Sequence, residues 1–395
     1  MTRALEYDPF SYELDRDPYP VYRRLQDEAP AYFNQRLGFW ALTRFDDVHR
    51  ALVDWKTYSS AEGTVLELMG SELSDTMIIF MDPPKQTRYR NLVSKVFTPG
   101  RIGELEPEIR RIAVGYLDGL DGREGFDVVA EFTAKLPMDV ISTMLGIPAT
   151  DRDMVRGWSN DVLHREPGRP EPPERALKAL VGLHDYFERL VEEKERRPAG
   201  DLLSALIAAE IVGEDGGRER LSRYEIKTFA NLLATAGNET VTKLLATAIY
   251  WLWRYPDQRS LLVADPALLP GAVEETLRFD PPSHYQGRTL TAEVELHGCT
   301  LPVGARVMLI NGATGRDHRR FEDPDEYKVT RKVEMHLALG YGIHSCLGAA
   351  LARLESRIAL GEFLSRYPDY SIDEAGVEWM HSSNVRGLSG LAVVA

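Results

Sequence analysis

Cysteine is almost absent from this 395-residue chain: Cys299 and Cys346 are the only two. That excludes a disulfide framework and any all-cysteine iron–sulfur or zinc centre, and it points to a reduced, cytoplasmic setting. Positive charge is also in deficit. Lys and Arg number 47 against 61 Asp and Glu, a formal net charge of −14. Such a balance argues against nucleic acid or an anionic membrane as a main partner. No apolar run approaches the roughly 18 residues of a membrane span. Met1–Phe10 has no hydrophobic targeting core. Internal repeats and low-complexity linkers are lacking too. The rest is ordinary for a globule, 44% apolar and 27% charged. The chain can bury a large core, and at about 150 residues per domain its length suggests two or three domains.

Helical periodicity dominates the middle. Ile102–Leu120, Asp151–Leu163, Arg175–Arg197, Leu202–Ile211 and Ser222–Tyr255 space apolar residues three or four apart. Ser222 with Glu225 predicts a capping box for the last of these. Its apolar centre, Phe229–Ala236, should be buried. Leu347–Tyr367 predicts another long helix, ending before Pro368. Arg165–Pro173 and Gly213–Gly217 read as surface loops. Strands are sparse: Gly38–Thr43, and Val294–Leu296, Cys299–Leu301 and Arg306–Ile310 as a small hairpin sheet. The class is mostly α with a minor β-sheet.

The most informative segment is Leu339-Gly340-Tyr341-Gly342-Ile343-His344-Ser345-Cys346-Leu347-Gly348. Its glycines permit a tight loop that delivers one cysteine to a helix N-terminus. The partial positive charge there should lower the thiol pKa. Four readings stand. The cysteine could be plain core, as Cys299 is read to be. It could be a nucleophile with His344, though neighbours at that spacing seldom face each other and no third group orients them. A zinc site would need further ligands. An axial thiolate for haem iron needs only the one cysteine.

The segment resembles the haem-binding loop of the cytochrome P450 family, Phe-x-x-Gly-x-His/Arg-x-Cys-x-Gly. It matches at Gly342, His344, Cys346 and Gly348, and departs at Leu339, where the family has Phe. Two further motifs fit the resemblance. Glu275 and Arg278 share a helix face at i, i+3, and Glu275 lies 71 residues before Cys346. The family's corresponding pair is buried and structural, and here Arg319 or Arg320 would be its third partner. Ala236-Gly237-Asn238-Glu239-Thr240 matches the segment that makes the family's oxygen pocket. A buried Glu and Thr mid-helix are costly without a purpose, and Thr240 can bond back to the Ala236 carbonyl and bend the helix. By resemblance, Thr240 would hydrogen-bond dioxygen, and Glu239 would relay protons to it.

The resemblance spans nearly the whole chain, from Pro18-Tyr19-Pro20 to Asn384-Val385-Arg386-Gly387. It implies one triangular, mostly helical domain over residues 1–395 in place of two or three. It implies haem b (iron protoporphyrin IX) on Cys346, within a pocket including Ala236, Gly237, Leu339, Gly340 and Gly348. Haem propionates need cations or donors, and by position these are His344, Arg288, Arg90 and the uncharged Gln86. For the substrate, positions matching the family's pocket are Leu66, Met69 and Ile79 within the loop Ala61–Phe80, Trp158 with Val162 and Leu163 in a mobile lid, Leu233 on the central helix, His284 and Tyr285 near the haem edge, and Val385 in the C-terminal turn. They imply a lipophilic small molecule: a steroid, a fatty acid or another natural product. The function implied is a monooxygenase fed with electrons by a separate ferredoxin or flavodoxin and its reductase, because the chain ends soon after the cysteine. Such partners are usually acidic, so Arg90, Arg353 and Arg357 would form a local basic patch. A cytoplasmic monomer with no membrane anchor completes the expectation. A peroxide-driven hydroxylase or a haem protein that only binds ligands are the alternatives, and an intact Glu239–Thr240 pair counts against both.

Overall fold

The computed structural model describes residues 5–70, 77–164, 172–212 and 217–395. The two surface-loop expectations, Arg165–Pro173 and Gly213–Gly217, fall mainly outside them. So do part of the loop Ala61–Phe80 and the side chain of Leu163.

A 32-residue helix, Arg223–Arg254, runs through the molecule. Its start is fixed as the residues dictate. Ser222 Oγ accepts from Glu225 N–H, and the Glu225 carboxylate accepts from Ser222 N–H. Around it pack Leu136–Leu145, Arg152–Leu163, Glu174–Arg196, Leu269–Phe279 and Ala349–Arg366. The largest apolar cluster reaches from Ile78 to Val393, so residues distant in sequence share one core. Among the described residues no helix is long and apolar enough to cross a membrane.

Two predicted helices are shorter than expected. The stretch Ile102–Leu120 divides into Pro99–Gly103 and Glu106–Asp118. Pro107 lacks an N–H and starts the second helix in its first turn. Leu202–Ile211 ends as a helix at Ala208. The β-branched Ile211 and Val212 then form a strand, Glu210–Val212, paired with Arg218–Arg220.

The main sheet has five strands in the order Ala31–Asn34, Phe39–Leu42, Arg306–Leu309, Gln286–Leu290 and Tyr58–Ser59. Val294–Leu296 and Cys299–Leu301 do form a hairpin, turning on His297 and Gly298 at φ 51° and 75°. Arg306–Leu309 is not part of it. That strand lies parallel to Phe39–Leu42 with Val307 opposite Trp40, a pairing set by residues nearly 270 positions apart. A C-terminal hairpin, Ser371–Trp379 with Leu388–Val394, also pairs with Gly125–Asp127.

The Glu275–Arg278 pair is completely buried. Its third partner is Arg331, whose Nε lies 3.2 Å from Glu275 Oε1. Arg319 and Arg320 do not reach it. Arg319 pairs with Asp27 and Asp317, and Arg320 lies over the Phe45 ring. The reason is a turn: Arg278 binds the carbonyls of Pro324 and Glu326, and Lys328 N–H reaches Glu275, which brings the later residue over the carboxylate.

Candidate active site around Cys346

The loop Leu339–Gly348 closes on itself. Cys346 N–H donates to the Leu339 carbonyl at 2.8 Å, and Gly340 N–H to Leu337 at 3.0 Å. Gly340 and Gly342 hold left-handed φ values of 67° and 68°. At Gly342 a Cβ would stand 2.8 Å from the Leu52 carbonyl oxygen, so both space and backbone demand glycine. Gly348 caps helix Ala349–Arg366. Leu339 itself packs with Leu244, Val273, Leu277 and Ala338, so it supports the loop through its carbonyl and its apolar anchorage. The expected low thiol pKa is not found. Burial pushes the Cys346 thiol up, and the Gly348 N–H, Arg90 and Arg353 offset this only in part. Cys346 is nonetheless exposed, because it lines an open cavity.

That cavity, about 920 Å³ with its open mouth, lies between the cysteine loop and the central helix. His344, Ser345, Cys346, Leu347 and Gly348 form one wall, and Leu232, Leu233, Ala236, Gly237, Thr240 and Val241 form another. Thr240 Oγ1 donates to the Ala236 carbonyl at 2.8 Å, as its spacing predicts. The helix runs through the segment without a break. Glu239 is buried but does not line the cavity. It pairs with Lys243 at 2.7 Å, and Lys243 Nζ also donates to the Leu388 carbonyl.

Beside the cavity two arginines and a histidine come together. Arg288 is 3% exposed. Its one described hydrogen bond goes to the Gly287 carbonyl, and no carboxylate lies within ion-pair distance among the described residues. Burial pushes its pKa down to about 10. Arg90 lines the cavity and donates to Ser345 Oγ at 3.2 Å. His344 is held down to about 3 by burial and by both arginines, and its buried Nε2 has no partner. A buried guanidinium without an ion-pair partner, a second, half-buried arginine beside it and a ring nitrogen left unbonded suit an anionic group. The residues therefore fit the haem that the resemblance implies. Gln86 does not join them: its Nε2 donates to the Ile343 carbonyl at 2.7 Å, which holds the loop instead. Because Arg288 is buried without an ion-pair partner and Asp82 offsets its burial only in part, Arg288→Leu should stabilise the haem-free protein by about 2 kcal/mol while weakening haem uptake about tenfold. Thermal unfolding of the haem-free form and a haem titration check the two signs together.

Two of the alternatives for Cys346 lack their parts. His344 bonds the Met81 backbone, and its Nε2 does not engage the thiol. Among the described residues no group of three or more His, Cys, Asp or Glu converges as a metal cage.

Of the substrate positions, Ile79 and Leu233 line the cavity. The others lie elsewhere. Leu66 and Met69 pack with the cluster around Tyr285 and Met308. Trp158 lies against Gly182 and Tyr186. His284 does not line this cavity but a separate one, with Tyr22, Ser383 and Val385; it bonds Tyr22 Oη at 2.8 Å beside Asp280, and burial with Arg386 pushes its pKa down to about 3. Tyr285 Oη accepts from Leu66 N–H and is fully buried. Val385 bridges Ser283. Sequence reasoning missed Phe97, Ile141, Phe229, Leu351 and Glu355, which do line the cavity. Glu355 is the least expected. It is 2% exposed, its Oε2 has no partner, and burial alone pushes its pKa well up. The spacing Gly348, Leu351 and Ala352, Glu355 on one helix face was the available signal. The expected basic patch is largely neutralised: Arg353 pairs with Glu274, Arg357 with Glu106, and Arg90 faces the cavity.

Residues 169–373 match the model of the family described as Cytochrome P450. The chain is 45% identical over 393 residues to cytochrome P450 123 of Mycobacterium tuberculosis, covering 98% of this chain and 96% of that one. It is 38% identical over 404 residues to the vitamin D(3) 25-hydroxylase of Pseudonocardia autotrophica, covering 99% and 97%. Among solved structures it is similar to CYP109E1 of Bacillus megaterium in complex with testosterone, with a TM-score of 0.85, 33% identity and coverage of 96% and 99%.

Proposed function

The chain belongs to the cytochrome P450 family of monooxygenases, which bind haem b through a cysteine thiolate, and on that premise we propose that Cys346 is the iron's ligand in an enzyme that oxidises a lipophilic small molecule. The observation that carries this reading is the placement of the Cys346 sulfur on one wall of a cavity whose facing wall holds Gly237 and Thr240. Cys299 offers no rival, because its sulfur sits in a hairpin, 3.9 Å from the Ala31 carbonyl.

When bound, haem supplies the redox-active iron at which dioxygen is activated. The chain's own residues do the rest. Arg288, Arg90 and His344 would hold the propionates. Ile79, Phe97, Phe229 and Leu233 exclude water and receive an apolar substrate. Thr240 Oγ1, anchored on the Ala236 carbonyl, keeps its lone pairs available and can hold a proton at the cavity wall. Glu239 must part from Lys243 to pass a proton on, so the pair works as a gate on proton supply. A hydroxylase of vitamin D(3) and a testosterone-bound structure among the similar proteins support a steroid-like substrate. The enzyme works as a single-domain cytoplasmic monomer, with electrons from a separate ferredoxin or flavodoxin and its reductase.

Retention of both Glu239 and Thr240 weighs against a peroxide-driven hydroxylase and against mere ligand binding. Three incubations with a steroid panel separate these readings: dioxygen with a ferredoxin system, peroxide alone, and neither. Product in the first alone supports the proposal, and product with peroxide alone would sink it. Thr240→Val keeps the shape but removes the hydroxyl. Product formation should fall about a hundredfold, while reductant consumption continues and haem content is unchanged.

A further inference from the structure

We propose that Glu274 is a positioning residue that sets the charge felt by Cys346, acting through Arg353 and held in place by His336. The inference rests on Cys346 being the iron's ligand.

Helix Leu269–Phe279 carries two adjacent glutamates with different surroundings. Glu275 points into the core toward Arg278 and Arg331. Glu274 lies about 100° further round the helix and faces helix Ala349–Arg366 and the chain entering the cysteine loop. Its Oε1 accepts from Arg353 Nε at 2.5 Å. Its Oε2 accepts from Arg353 Nη2 at 3.0 Å and from His336 Nε2 at 3.1 Å. His336 Nδ1 accepts from Ala338 N–H at 3.2 Å, so the ring proton belongs on Nε2. One carboxylate thus grips both flanks of the loop. His336 stands just before Leu339, and Arg353 stands two helical turns beyond Cys346.

The grip has an electrostatic side. Arg353 stands on the helix that the cysteine loop enters, about 11 Å of helix rise beyond Cys346, and Glu274 covers its guanidinium with both carboxylate oxygens. Burial disfavours charge on Glu274, but hydrogen bonds from His336 and Arg353 prevail and hold it down to about 2. It is therefore ionised near neutral pH and offsets much of the Arg353 charge. Arg90, which lines the cavity and donates to Ser345 Oγ, is left untouched. The side chains of Glu274 and Arg353 are 27% and 41% exposed, so the pair contributes little to stability. Its consequence should show in the potential of the centre.

The test is the reduction potential of the haem-loaded protein and three variants. Glu274→Gln uncovers Arg353, and a nearby positive charge favours the reduced centre, so its potential should rise. Arg353→Gln leaves Glu274 uncompensated, so its potential should fall. The double variant should return close to the unsubstituted protein. A merely structural role would move both single variants the same way, through a disordered loop. Shifts of the same sign, or no shift in either, would overturn the proposal. Should Glu274→Gln fail to take up haem, Arg353→Gln decides alone, and a potential at or above that of the unsubstituted protein overturns it. The carbon monoxide spectrum of the unsubstituted protein tests the ligand separately. A histidine-like band there would remove the premise, whereas a thiolate band with unmoved potentials would remove only this inference.

Discussion

Cys346→Ala will still fold, and its reduced carbon monoxide complex will lack the strongly red-shifted Soret band of a thiolate-ligated haem. The unsubstituted protein will show that band. The contrast is expected to be complete because nothing else can serve. Cys299 is fixed in its hairpin against the Ala31 carbonyl, and His344 Nε2 stands with the arginines that await an anion. The fold should tolerate the change. The sulfur faces cavity space, and the loop is held by backbone bonds to Leu337 and Leu339, by the Gln86 amide and by the apolar anchorage of Leu339. The haem-free variant should therefore unfold within about 1 kcal/mol of the parent. Product formation should fall below detection. A red-shifted band that survives in Cys346→Ala would show that the ligand is elsewhere, and the assignment of the cavity would fall with it.

Legibility in the sequence followed the range of the interactions concerned. The cysteine loop was readable because its glycines, its cysteine and its following helix are neighbours in the chain. So was the central helix, whose capping box and Thr240–Ala236 bond span three and four residues. Glu239 was noticed, but its i+4 partner Lys243 was not weighed. Longer-range features failed in proportion to distance. Arg331 displaced Arg319 and Arg320 because a turn at Pro324–Glu326 carries the chain on by one more step before it meets Glu275. Strand Arg306–Leu309 joined Phe39–Leu42 because a parallel partner leaves no local signature. The substrate wall was worst. An apolar residue looks alike whether it lines a cavity, as Ile79 does, or fills a core, as Leu66 does. The position of His284 after the Glu-x-x-Arg helix suggests the haem edge, yet its Nδ1 bonds Tyr22 Oη.

Glu275→Gln should cost about 3–5 kcal/mol, against a total stability of roughly 5–15 kcal/mol, and so deplete the soluble, haem-loaded protein. Glu275 is 0% exposed and accepts four hydrogen bonds. Arg278 Nε and Nη2 donate at 2.7 Å each, Lys328 N–H at 2.8 Å and Arg331 Nε at 3.2 Å. Glutamine keeps the shape but removes the charge. It also turns an NH₂ group toward a guanidinium that can only donate. Arg278, fully buried, would then carry an uncompensated charge. The neighbouring substitution, Glu274→Gln, differs by one position and should cost well under 1 kcal/mol, so the pair of variants separates burial from charge. The double variant Glu275→Leu, Arg278→Met tests the same point from the other side. Replacing a buried ion pair by apolar residues can be neutral, but here it would strand the carbonyls of Gly315 and Pro324 that Arg278 now satisfies. Recovery should therefore be partial. Urea unfolding of the haem-free proteins reads all three. If Glu275→Gln loses less than about 1 kcal/mol, the buried pair is not what fixes the chain from Gly315 to Arg331. Full recovery in the double variant would instead mean that the charge balance matters and the carbonyl bonds do not.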